Sequence, residues 1–112
     1  MIESIYERCL LRELALRGLN AVSQQVVRID YKGFVFTEVL RFDVLVNGCL
    51  LVEVKAVEAV HPIHKAKLMS YMKLLDVPLG LIVNFHETKL VDGVSRMILR
   101  GASGESDRNL PD

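Results

Sequence analysis

Asp43 and Glu53 stand ten residues apart, with Lys55 two positions beyond Glu53, inside the apolar stretch RFDVLVNGCLLVEVK, residues 41–55. Strand side chains alternate between faces, so Phe42, Val44 and Val46 form one apolar face on a first arm. Leu50, Val52 and Val54 do the same on a second. A two-residue Asn47-Gly48 turn would put these two sets on opposite sides of the sheet. A three-residue connection, Val46-Asn47-Gly48 with Gly48 left-handed, pairs Leu45 with Cys49 and aligns them. The other face then carries Arg41, Asp43, Glu53 and Lys55, with Asp43 and Glu53 slightly offset on neighbouring strands.

Two carboxylates converging beside apolar walls repel each other and lose hydration, which is unfavourable without a compensating cation. A divalent metal supplies that charge. Oxygen-only ligands suit Mg2+, Mn2+ or Ca2+, and Mg2+ binds through one or two carboxylates while keeping several waters. Such a site can polarise a phosphoryl oxygen and activate water, and a nearby ammonium can orient that water. The same four charged residues also fit the solvated face of a half-exposed hairpin with two cross-strand ion pairs.

The elements that must position this hairpin are legible on either side of it. From Ile2 to Leu16 the residues Ile2, Ile5, Tyr6, Cys9, Leu10 and Leu14 recur at helical spacing, and Gly18 follows as a left-handed cap. Val22–Asp30 and Phe34–Glu38 are Val-, Ile- and Phe-rich strands joined by the turn Tyr31-Lys32-Gly33. Pro62 opens a second helix, ending near Asp76, with Ile63, Ala66, Leu68, Met69, Met72 and Leu75 on its buried side. The run from Leu79 to Phe85 predicts a strand covered on both faces, and Ser95–Leu99 an edge strand. Residues 1–100 make one domain, and the polar, Gly- and Ser-containing residues 101–112 predict a disordered tail.

A chain of 112 residues with half its residues apolar and a quarter charged has room for one core and one site. Lys and Arg equal Asp and Glu at 14 each, which removes the strongly basic field of a non-specific DNA binder. The acidic residues of the tail leave residues 1–100 slightly positive. Cys9 and Cys49 have no metal-ligand spacing and read as small buried hydrophobes of a reducing compartment, with no disulfide. No apolar run reaches the roughly 18 residues of a membrane span, and no basic-then-apolar leader opens the chain, so the expected location is the cytoplasm.

Asp43, nine residues, then Glu53-Val54-Lys55 after a helix, with a helix and an apolar strand following, resembles the PD-(D/E)XK nuclease superfamily. Within it, ESIYERCLLRELALRGL, YKG, RFDVLV, VEVKAVE and PIHKAKLMSYMKLLDVPLGLIVNF together resemble the small bacterial and archaeal GxxExxxR family, from about Glu3 to about Leu99. The resemblance implies an α/β (α+β) fold, a restriction-endonuclease-like α-β-β-β-α-β core whose mixed central sheet is flanked by helices. It implies a metal-dependent nuclease acting on nucleic acid, DNA first, with Mg2+ or Mn2+ as cofactor. The alternative it leaves open is a catalytically inactive binding or regulatory module of the same fold, as a homo-oligomer or with a partner protein in a larger assembly.

By the same resemblance Asp43, Glu53, the Val54 carbonyl and Glu3 are metal ligands, and Lys55 positions the attacking water. Lys67 and Tyr71, one turn apart on the second helix, fall where relatives carry Gln-x-x-x-Tyr, with Lys67 in place of the amide. A cation there can hold a phosphate and the Tyr a sugar or base, although a Lys lying over an apolar ring needs no nucleic acid. His64 and Arg41 complete the expected nucleic-acid contacts. Two departures stand out: Glu7 replaces the family's Arg, with Arg8 adjacent, and the family's Gly would precede Met1, which implies a missing opening helical segment.

Overall fold

The computed structural model describes residues 2–86 and 90–102. Helix α1 (Ile2–Leu16) is followed by strands β1 (Ala21–Tyr31), β2 (Phe34–Val46) and β3 (Leu50–Lys55), helix α2 (Pro62–Leu75), strand β4 (Leu79–Asn84), a 3-10 turn at Leu90–Gly93 and strand β5 (Val94–Ile98). The strands form one sheet in the order β1-β2-β3-β4-β5. Only β3 and β4 run parallel, as the intervening helix demands. The result is the mixed, helix-flanked α+β architecture expected, and the tail from residue 103 lies outside the described residues.

Each helix covers one face of the sheet. Leu68 and Met72 of α2 are fully buried against Leu45, Leu51 and Ile82, while Leu10, Leu11 and Leu14 of α1 pack on Val44, Val46 and Val52. Gly80 lies under α2, where a β-carbon would come within 2.6 Å of Met72 Sδ. The close approach of helix and strand depends on that missing side chain. The helix ends obey the sequence: Gly18 is left-handed (φ 73°), with the Leu19 and Gly18 N–H groups donating to Leu14 and Ala15 carbonyls.

Several expectations need correction. The inward stripe of α1 is Glu3, Tyr6, Glu7, Leu10, Leu11 and Leu14, whereas Ile2, Ile5 and Cys9 are exposed and Cys49 is half-buried. Ile63 and Ala66 of α2 are likewise exposed. Phe34–Glu38 and the arm carrying Asp43 are one continuous strand, β2, because no breaker interrupts residues 34–46. The connection is odd, as the parity argument required, but it is Asn47-Gly48-Cys49, and the ladder pairs Val46 with Leu50, Leu45 with Leu51 and Val44 with Val52. Asn47 (φ 51°) and Gly48 (φ 67°) are both left-handed, and the Asn47 side chain and backbone are tied to the Asn20 backbone, which selects this register. β4 is buried on alternate residues only.

Asn84, at the end of β4, is the buried polar residue that organises the segment after Lys55. Its Oδ1 accepts from the Val57 and His86 N–H groups and its amide donates to the Val57 carbonyl at 2.8 Å. Asn84→Ala leaves these backbone groups without partners and is expected to lower unfolding stability by about 1–3 kcal/mol in urea denaturation.

Candidate active site

The site sits where β2 and β3 separate. Their ladder stops at Val44 and Val52, and β3 continues beside β4 as far as the pair Lys55 and Asn84. On its other side β2 slips against β1: Val22 faces Leu45 but Gln24 faces Arg41, so extra β2 residues are accommodated across Ser23. Phe42 consequently packs in the α2-side core, together with Leu45, while Val44 and Val46 pack on the α1 side. The single apolar face expected for Phe42, Val44 and Val46 is broken at Asp43.

Backbone groups exposed by this separation are satisfied by the two acidic side chains. Val54 N–H donates to Asp43 Oδ2 at 2.6 Å, and Asp43 N–H donates to Glu53 Oε1 at 3.3 Å. Each carboxylate thus bonds the opposite strand in place of a ladder hydrogen bond, and the two acids face each other across the opening. No salt bridge joins either to Lys55 or Arg41 among the described residues, so the cross-strand ion pairs do not form.

Glu53 is buried at 7% exposure, and its pKa is raised to about 7, first by desolvation and then by the charge of Asp43. The Asp43 N–H and the charges of Lys55 and Lys67 act in the opposite direction. Lys67 of α2 therefore does reach the field of the acids, while its Nζ lies 5.6 Å from the Tyr71 ring centre.

From α1, Glu3 Oε2 accepts from Ala56 N–H at 3.0 Å, fastening the helix start to the end of β3. Glu7, one turn on and half-buried, has a raised pKa from burial and from Asp43. It is the acidic neighbour that sequence reasoning passed over as a departure. Its three-and-four spacing with Glu3, Leu10 and Leu14 was the available signal.

His64 Nδ1 accepts from the His61 N–H at the start of α2, a bond that requires the neutral ring. Burial and then Lys55 hold its pKa below the usual value. Arg41 is exposed and donates to Gln24 Oε1 at 3.2 Å, outward along β1. The structure thus brings Asp43, Glu53, Lys55, Lys67, His64 and Glu3 into one electrostatic neighbourhood, while Arg41 is engaged with Gln24 of β1.

This arrangement of acids at a break in a mixed sheet agrees with a family-level match. A model of the PD-(D/E)XK nuclease superfamily matches residues 1–97. The chain belongs to that superfamily. It is similar to a solved structure titled "Crystal structure of SSO0001", with a TM-score of 0.64 and 19% identity over 87% of this chain and 50% of that one. The chain thus spans half the length of that protein, and the likeness is one of fold. No curated protein matches the sequence. No helix among the described residues is long and apolar enough to cross a membrane.

Among the described residues no three or more His, Cys, Asp or Glu side chains are grouped so as to hold a metal. What the chain offers is the Asp43 and Glu53 carboxylate pair at the opening, with Asp43 bonded to the Val54 backbone. That all-oxygen set, in which burial and then the charge of Asp43 raise the proton affinity of Glu53, fits a hard cation that keeps most of its waters.

A carboxyl whose folded pKa lies above its unfolded value of 4.5 favours the native state at low pH and opposes it as pH rises through about 7. In metal-free buffer Glu53→Gln is expected to be stabilising above pH 7, by up to roughly 3 kcal/mol, and neutral near pH 4. Urea unfolding at the two pH values measures this.

Proposed function

We propose that the chain is a metal-dependent nuclease of the GxxExxxR type that hydrolyses phosphodiester bonds in DNA, with Mg2+ or, in its place, Mn2+. The observation that carries this reading is the pair of acids at the β2–β3 opening, each turned onto the other strand's backbone and too close to be comfortable without a cation. Asp43, Glu53 and the Val54 carbonyl would hold the ion, and the oxygen of Glu3 not bonded to Ala56 would complete the set. Bound there, the cation supplies Lewis-acid polarisation of a phosphoryl oxygen and a water of lowered pKa.

The chain's own groups do the rest. Lys55, which follows Glu53 by two positions on β3, orients the attacking water and offsets negative charge at the phosphorus. Lys67 holds a neighbouring phosphate and Tyr71 packs on sugar or base. His64, kept neutral, donates a hydrogen bond to a phosphate oxygen from Nε2. The nucleic acid would then lie along the α2 side of the opening.

A second reading, a nuclease-fold binding or regulatory module, draws support from Glu3, one of whose oxygens is already committed to Ala56 N–H. Two measurements separate the readings. Lys55→Ala and Asp43→Ala are expected to reduce Mg2+-dependent cleavage of plasmid DNA by about a hundredfold or more. Cleavage equal to that of the unaltered chain would remove the catalytic assignment. Mg2+, Mn2+ or Ca2+ at saturating concentration is expected to raise the melting temperature, and Asp43→Ala to abolish the rise. A metal-induced rise without cleavage of DNA or RNA supports the module.

A further inference from the structure

The β1–β2 hairpin is the part of the molecule that neither the core nor the acidic site explains. Nearly all of β1 is exposed, as is β2 from Phe34 to Val39 apart from Phe36. An isolated two-stranded ribbon is marginal in water and needs a third strand or a packed face. One face of this ribbon carries, beside Gln25 and Glu38, an apolar row of Leu40, Val27, Phe36, Ile29, Tyr31 and Phe34 that begins in the α2-side core and runs out to the turn. Tyr31 and Phe34 there are 64% and 66% exposed.

Among the described residues β1 is also a free edge of the sheet. Between Gln24 and Tyr31 it has no proline and no register shift, so neither device blunts it against another strand. The two-residue turn Lys32-Gly33, left-handed at both positions, makes Tyr31 and Phe34 a hydrogen-bonded pair. Odd-numbered residues of β1 therefore bond β2, and the backbone groups of Gln24, Val26, Arg28 and Asp30 point to the free edge.

We propose that this edge pairs with β1 of a second copy of the chain, antiparallel and two-fold symmetric about Ile29. Charge selects the register. Among the antiparallel registers that join outward-pointing residues, pairing about Ile29 sets Arg28 opposite Asp30 of the other copy, twice over, whereas pairing one step away sets Arg28 against Arg28. Both side chains are exposed on the same face of the ribbon, and Arg28 has no hydrogen-bond or ion-pair partner among the described residues. On the opposite face this register stacks Ile29 on Ile29 and Val27 beside Tyr31, joining the two apolar rows. A nucleic-acid occupant fits the ribbon less well, because Asp30 stands between Arg28 and Lys32 and the other face is largely apolar. The pairing is independent of the catalytic reading.

Light scattering on the full chain after size exclusion tests this, over a range of concentrations without metal or nucleic acid. A dimer is expected. Arg28→Asp, which places like charges opposite each other at both ends, is expected to weaken association by about tenfold or more. The double variant Arg28→Asp with Asp30→Arg restores the opposite charges and the dimer. In a Cys9→Ser, Cys49→Ala background, Ile29→Cys is expected to form an intermolecular disulfide under mild oxidation, and Gln25→Cys none. A monomer at every concentration, a dimer indifferent to Arg28→Asp, or equal cross-linking at residues 25 and 29 overturns the proposal. So does association that appears only on adding DNA.

Discussion

Where two strands of a sheet part company, their N–H groups must find other acceptors, and in this protein the acceptors are Asp43 and Glu53. That substitution holds the opening at a fixed width and sets two like charges against each other in a place short of water. Neither requirement can be relaxed alone. Moving either acid would strand a backbone donor, and closing the ladder would pair Asp43 with Glu53 as neighbours without room for a ligand. The raised proton affinity of Glu53 is the electrostatic trace of this compromise.

The rest of the body is arranged around the opening. Glu3 anchors the start of α1 to the backbone just past Lys55, and the Tyr6 and Phe85 rings stack at 4.3 Å between the same helix and the residue after β4. Asn84 fixes the following segment through the Val57 backbone, and α2 lays Lys67 within the field of Glu53. Three elements distant in sequence thus converge on the end of β3. The cations Lys55 and Lys67 moderate the acids without forming close ion pairs with them, so the carboxylate oxygens are not consumed by salt bridges.

The body and the ribbon are stabilised differently. In the body, two helices cover the two faces of a sheet, with a buried core on the α2 side and a smaller, partly exposed one on the α1 side. The ribbon carries its apolar row beyond the reach of α2, and its outer strand has no further neighbour among the described residues. Local turn chemistry, with Lys32 and Gly33 left-handed and Asp30 bonded to the Gly33 N–H, forms the hairpin but does not cover it. A surface of that kind is open to burial by a further strand.

Local rules made much of this legible from residues alone. Gly18, Pro62 and Gly33 marked ends and turns because only a few residue types tolerate those backbone states, and the odd-length loop at Asn47 followed from the two-fold period of strand side chains. The spacing of Asp43, Glu53 and Lys55 pointed to the site, since opposed residues on adjoining strands must meet. Register and helix rotation were decided elsewhere. Asn20, held far away by the end of α1, chose the loop over Asn47-Gly48-Cys49, and the slip across Ser23 turned Phe42 to the other face. Glu3 and Glu7 lie on the inward stripe of α1, and Ile2 and Ile5 on the outer, because that helix meets the sheet near a polar opening. Sequence periodicity reports which residues share a face, but only the packing of distant elements decides what that face touches.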